Sequence, residues 1–214
     1  MKVKICANKS IYDAESCLIA GADIIGILVG QKHESDDFVD LEIAKKIVDY
    51  VDNRCDVSLV THLEDADKII KLTKHIGNNI IQLHSGIKEC EVEKIKKELP
   101  NIELVRLIHV SKDGKIQTDI KNMKYVDYYI LDSFNLETNQ VGGTGLRFDW
   151  EKGRDIVKKL NKPTFLAGGL NPENVSEAIN IVKPYGVDVN SGCKTNNIKD
   201  RNKVIEFVKN AKGK

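Results

Sequence analysis

Short apolar runs at residues 3–6, 23–29, 57–61, 80–84, 104–109, 128–132, 164–167 and 186–189 carry hydrophobic side chains at consecutive rather than alternate positions. A strand written this way is covered on both faces, as in a parallel sheet flanked by helices. Between the runs, apolar residues recur at helical spacing. Leu41, Ala44, Ile47, Val48 and Val51 form one stripe; Ala66, Ile69, Ile70, Thr73 and Ile76 form a second. Val175, Ala178, Ile179 and Val182 form a third, opened by Asn171-Pro172, a cap followed by a proline suited to the first helical position. The poorest helical pattern lies at residues 116–123. Eight strands, each followed by a helix, imply parallel pairing with right-handed crossovers. Eight such repeats close into a (β/α)8 TIM barrel, here a single domain over residues 1–214. An open doubly wound sheet would use fewer strands and a glycine-rich first turn, where this chain has Cys6-Ala7-Asn8.

Composition narrows the partners. The 33 Lys and Arg nearly balance 32 Asp and Glu, for a formal charge of +1, and the basic residues are scattered. That leaves no electrostatic footprint for nucleic acid or an acidic membrane. No apolar stretch approaches the ~18 residues that span a bilayer, and the first residues turn polar too soon for a signal peptide. Cys6, Cys17, Cys55, Cys90 and Cys193 are odd in number and widely spaced, with no CxxC pair. They imply reduced thiols in a cytoplasmic protein and no zinc site.

In a (β/α)8 barrel the C-terminal strand ends and the loops after them build the active site. These ends turn polar at Cys6, Thr61-His62, Gln82-Leu83-His84, His109, Asp132-Ser133 and Asn190-Ser191-Gly192, with His33 in the loop after the second strand. Strand ends are polar in many proteins, so the convergence counts more than any one residue. Glycine turns follow the seventh and eighth strands, at Gly168-Gly169 and Ser191-Gly192. There, backbone N–H groups can approach an anion closely, and barrels often hold a phosphate at those loops. Gly142-Gly143-Thr144-Gly145 lacks the context of a dinucleotide fingerprint; it is either a loop closing over substrate, with Gly143 in contact, or a flexible connection. Cys6 and Asp132, on the first and sixth strands, have the chemistry of a general base and a general acid. A lone strand-end cysteine is also a common small core residue.

Taken in order, Lys4-Ile5-Cys6, Gln82-Leu83-His84, Leu131-Asp132-Ser133, Gly142-Gly143-Thr144-Gly145, Phe148-Asp149-Trp150, Leu166 to Asn174 and Asp188-Val189-Asn190-Ser191-Gly192 resemble the phosphoribosylanthranilate isomerase family over essentially the whole chain. The resemblance implies a (β/α)8 barrel that carries out an Amadori rearrangement in tryptophan synthesis without metal or organic cofactor. It implies Cys6 as base, Asp132 as the acid that protonates the ring oxygen, and a phosphate held by Gly168, Gly169, Ser191 and Gly192. Gln82 and Asp188 fall on positions that shape the site. The expected partner is a small phosphorylated sugar, and the protein is expected to be a monomer or homodimer. A thiol base near neutrality needs a positive neighbour, and Lys4 shares its strand face. Asp132 must stay protonated, so partial desolvation is expected to raise its pKa.

Three departures stand out. Cys6 is followed by Ala7 where the family has glycine. The loop after the second strand reads Ser35-Asp36-Asp37-Phe38-Val39, so Asp37 stands where the family places the arginine that grips the anthranilate carboxylate. Third, Thr61-His62 replaces an apolar residue followed by asparagine. Lys32, His33 or Arg106 is then expected to supply the missing cation. The alternatives are a paralogue acting on another phosphorylated sugar, or a phosphosugar-binding protein without catalysis.

Overall fold

The computed structural model describes residues 1–32, 35–118, 123–135, 140–141 and 148–213. Eight strands form its frame: β1 (Lys2–Ile5), β2 (Ile24–Leu28), β3 (Asp56–Thr61), β4 (Ile80–Leu83), β5 (Glu103–Ser111), β6 (Tyr128–Asn135), β7 (Thr164–Leu166) and β8 (Gly186–Val189). Neighbours pair in parallel in the order β5-β4-β3-β2-β1-β8-β7-β6, and β6 pairs back onto β5, which closes the barrel. All eight apolar runs are therefore strands. The two longest, β5 and β6, outrun the expected spans because each continues past the barrel rim: Val110 bridges to Ile116, and Phe134 pairs antiparallel with Val141.

Seven helices lie among the described residues: α1 (Ile11–Ala20), α2 (Leu41–Val51), α3 (Ala66–Ile76), α4 (Glu89–Glu98), α5 (Trp150–Lys159), α6 (Val175–Val182) and α7 (Arg201–Lys212). The expected fifth-unit helix at 116–123 is not borne out where it is described. Ile116 lies in a bridge, and Thr118 Oγ1 accepts the His109 N–H at 2.8 Å; residues 119–122 lie outside the described residues. Helix α6 begins three residues later than Asn171-Pro172 suggests. Asn171 and Asn174 instead exchange side-chain-to-backbone hydrogen bonds at 2.9 Å each, and this local turn outcompetes the helix. None of the helices is long and apolar enough to cross a membrane, among the described residues.

The core has two layers. One lies between strands and helices, with Ile5, Ile25, Ile27, Leu59, Ile81 and Leu104 among its buried members. The other fills the barrel: Ile24, Ile80, Val105, Leu107, Ile130, Phe165 and Ala167. At the N-terminal end Tyr128, Phe165 and Tyr185 pack ring on ring, with centroids 5.6–6.1 Å apart. These rings line a pocket at that end; the polar inward positions Cys6, Gln82, Asp132 and Asp188 lie toward the opposite end.

Candidate active site

Strand β1 delivers Cys6 to the mouth, and its backbone is pinned on every side. The Cys6 N–H donates to the Val189 carbonyl at 2.8 Å. The Asn8 side chain, itself buried, donates to the carbonyls of Ile5 and Gly26 at 2.8 and 3.0 Å and accepts from the Cys17 thiol at 3.1 Å. The Lys199 ammonium donates to the Cys6 carbonyl. Between these anchors Ala7 takes a left-handed backbone with φ 58°. That conformation suits the glycine of the family and costs an alanine about 1 kcal/mol or more. Across the barrel wall, Gly26 makes room for the thiol: a Cβ there would stand 3.0 Å from Cys6 Sγ and 3.2 Å from Lys4 Nζ.

A buried ion pair lies beside the thiol. Lys4 and Asp188 sit opposite each other on β1 and β8, and Lys4 Nζ lies 3.0 Å from Asp188 Oδ2, with both side chains nearly inaccessible. Burial alone depresses the Lys4 ammonium, but Asp188 and Cys6 together hold its pKa above the ordinary value. The pair acts on both candidate catalytic groups. Burial pushes the Cys6 thiol up and Asp188 adds to this; Lys4 and Lys199 pull it down, and the net direction is upward. Burial and the Asp188 carboxylate push Asp132 from 3.8 up to about 7, against the Ser133 N–H that donates to Asp132 Oδ1 at 2.7 Å. Asp132 is therefore an acid that holds its proton close to neutrality, as the sequence led us to expect.

Asp188 Oδ1 and Gln82 Oε1 are buried acceptors without a partner among the described residues, the kind of group a substrate hydroxyl satisfies. Gln82 Nε2 lies 3.3 Å from His84 Nδ1. The His84 ring packs on His62 at 5.1 Å between centroids, and His62 packs on Phe38 at 5.3 Å. His109 stands in register with Asp132 on the next strand, and burial lowers its pKa, which favours the neutral imidazole.

Beyond the acid, Gly168 and Gly169 both take positive φ, 85° and 64°, and the Gly169 carbonyl is held by Asn174 Nδ2 at 2.9 Å. Gly168 presses so close to the Ser133 backbone that a Cβ would lie 2.8 Å from its nitrogen. Ser191 and Gly192 lie in a short 3-10 turn, Ser191–Cys193, directly after β8. The two glycine turns thus sit on adjacent strand ends, one of them touching the residue after the acid.

The cation candidates fare differently. The Lys32 ammonium pairs with Glu64 at 2.6 Å on the exposed rim, so its charge is already answered. Arg106 alternates with Val105 and Leu107, which fill the barrel, so it points outward; its Nη2 donates to the Ile87 carbonyl at 2.9 Å. His33 and Gly143 lie outside the described residues. Asp37, the carboxylate in the arginine's place, is itself neutralised. It pairs with the Lys194 ammonium and accepts from Asn190 Nδ2 at 2.7 Å, and these bonds hold it below the usual carboxylate range although burial opposes them.

The fold is a closed (β/α)8 barrel, and comparison with known proteins places it among isomerases. The model of the N-(5'-phosphoribosyl)anthranilate isomerase family matches residues 3–210, and this chain belongs to that family. It is 44% identical over 213 residues to N-(5'-phosphoribosyl)anthranilate isomerase 2 of Methanosarcina mazei, covering 99% of this chain and 94% of that protein. The crystal structure of phosphoribosyl anthranilate isomerase from Thermotoga maritima superposes with a TM-score of 0.84 at 28% identity, all of both chains being covered. A further isomerase structure, in complex with reduced 1-(o-carboxyphenylamino)-1-deoxyribulose 5-phosphate, matches with a TM-score of 0.79 at 26% identity, again over the whole of both chains.

Proposed function

We propose that this chain catalyses the Amadori rearrangement of N-(5'-phosphoribosyl)anthranilate to 1-(o-carboxyphenylamino)-1-deoxyribulose 5-phosphate, a step of tryptophan biosynthesis. Asp132 protonates the furanose ring oxygen while the anilino nitrogen lone pair expels it, leaving an open-chain protonated Schiff base. The Cys6 thiolate then removes the C2 proton, the electrons flow to the nitrogen, and the resulting enol tautomerises to the ketone. No atom is gained or lost. The observation that carries this reading is the buried Lys4–Asp188 pair, whose charges bear on both proton-transfer groups: Asp188 raises each and Lys4 lowers each. Lys4 favours the thiolate and Asp188 favours the protonated acid.

The rest of the site follows from where the strands stand. The phosphate would meet backbone N–H groups of Gly168, Gly169, Ser191 and Gly192 at the ends of β7 and β8. Cys6 and Asp132 flank that sector on β1 and β6, so the anthranilate ring is left the sector of β2 to β5. There Phe38, His62 and His84 offer ring faces and imidazole N–H donors. Gln82 and Asp188 face the sugar hydroxyls between. In this reading His62 takes over part of the work of the missing arginine. His62→Ala is expected to raise KM about tenfold, the value of one charge-assisted hydrogen bond, and to leave kcat within a few-fold; steady-state kinetics that show KM unchanged would remove His62 from the binding set.

The test of the reaction is consumption of N-(5'-phosphoribosyl)anthranilate, followed by loss of its anthranilate-type fluorescence, in wild type and Cys6→Ala. Wild type is expected to turn over, and the variant to be slower by about 10²–10⁴ or more, the usual worth of a general base. A folded wild-type protein that leaves the substrate untouched overturns the proposal; a Cys6→Ala protein as fast as wild type overturns the assignment of the base.

A further inference from the structure

The chain after β8 makes a tight hairpin, Lys194–Thr195 against Ile198–Lys199, turned by Asn196 and Asn197 in left-handed conformations with φ 50° and 60°. Lys194 and Lys199 stand directly opposite each other in its ladder. Like charges in that arrangement repel, and only one of them is answered: Lys194 pairs with Asp37. Lys199 is buried to 5% exposure and makes no ion pair among the described residues. Its hydrogen bond goes to the carbonyl of Cys6, the residue proposed as base. A buried ammonium without a carboxylate is costly, and a methionine or leucine would fill the same space without that cost. The position of the charge accounts for it.

We infer that Lys199 is a positioning residue for the thiol base: its ammonium clamps the carbonyl of the Cys6–Ala7 turn and supplies, from behind, the positive charge beside which the thiolate forms. It moves no proton itself. Lys4 reaches the thiol from the same strand and is tied to Asp188, so its charge is partly spent; Lys199 adds a second one, held by no ion pair of its own among the described residues although Asp37 lies within its field. The groups that bear on the Cys6 thiol are Lys4 from β1, Asp188 from β8 and Lys199 from the hairpin. Those that bear on Lys199 are Cys6, Cys17 from α1, Cys193 from the 3-10 turn, Lys194, and the Asp37 carboxylate of the loop after β2, with burial as the largest influence and the net direction downward. Asn8, bonded to the Cys17 thiol, completes the wall around the turn.

This inference rests on Cys6 being the base, and its test is built to separate the two. The ionisation of Cys6 is read as the pH dependence of its alkylation by iodoacetamide, followed on the Cys6 peptide by mass spectrometry, in wild type, Lys199→Met, Lys199→Gln and Lys199→Arg. Lys199→Met and Lys199→Gln are expected to shift the alkylation midpoint up by about one pH unit and to cut turnover at neutral pH about tenfold. Lys199→Arg, which keeps the charge, is expected to stay near wild type in both. Gln keeps a donor for the Cys6 carbonyl, so it carries the test even where Met fails to fold. A merely structural lysine would lower turnover and melting temperature together and leave the midpoint in place; a folded Lys199→Gln with the wild-type midpoint overturns the inference. If the midpoint moves as expected but wild type leaves phosphoribosylanthranilate unconverted, the reaction assignment fails and the role of Lys199 stands.

Discussion

Asp132→Asn is expected to lose turnover by about 10²–10⁴ while making the folded protein more stable at alkaline pH. The carboxyl is held near 7 in the folded state against 3.8 ordinarily. Below pH 4 the group is protonated in both states and contributes no difference. As pH rises from about 4 to about 7 the unfolded chain sheds this proton while the folded chain keeps it, so stability falls across that window and stays low above it. The displacement corresponds to roughly 4 kcal/mol at most. An asparagine has no proton to lose, so it escapes the penalty. Thermal melts at pH 4 and pH 8 check this: the variant should match wild type at the lower pH and melt several degrees higher at the upper one. Equal melting temperatures at both would mean that Asp132 ionises freely and is no acid at neutrality.

Asp188→Asn should act in the opposite sense on stability. It leaves the Lys4 ammonium buried beside Cys6 without its carboxylate, and breaking a buried pair from one side costs about 3–5 kcal/mol. For a chain of this size that is roughly 6–20 °C in melting temperature. It also withdraws the negative charge that helps hold the proton on both Asp132 and Cys6. The two effects belong together because the active form carries one proton, on Asp132, and none on Cys6. With the thiol raised above its ordinary value and the acid near 7, that form is the minority singly protonated state. Its share depends on the gap between the two, about tenfold per unit, and because Asp188 raises both groups its loss lowers both and leaves that share nearly unchanged. Thermal denaturation and the pH profile of kcat/KM measured on the same preparation check both consequences; a variant that melts like wild type with an unmoved profile would deny the pair any role.

Much of the barrel is legible in the sequence because strands buried on both faces announce themselves as unbroken apolar runs. The fifth unit is not, since residues after β5 fold back onto their own strand rather than forming the helix that the repeat leads one to expect. Within the site, Cys6, Asp132 and Lys4 are readable from strand ends and period-two spacing, and Gly26 in the middle of an apolar strand is itself a sign of a close approach. What the chain order hides is pairing at long range. Asp37 reads as a carboxylate facing a carboxylate, yet its partner Lys194 comes 157 positions later. Lys199 reads as one more surface lysine near the C-terminus, yet its ammonium lies against a carbonyl 193 positions earlier. Neither belongs to a local motif, and only closure of the barrel, which sets β8 beside β1, brings them to the site. Asn8 escapes notice for the same reason, because its acceptors lie on two different strands.

The measurement closest to the heart of this account is the pH profile of kcat/KM for N-(5'-phosphoribosyl)anthranilate, in wild type and in Asp188→Asn. The profile reports ionisations of the free enzyme. Wild type is expected to rise through about pH 7 as Asp132 loses the first proton, hold a plateau, and decline above it as the thiol ionises. In Asp188→Asn both limbs should move to lower pH, because Asp188 raises the acid and the thiol alike. A rising limb that stays at the same pH in the variant, whatever happens to the plateau, would contradict the claim that one buried ion pair sets both the acid and the base.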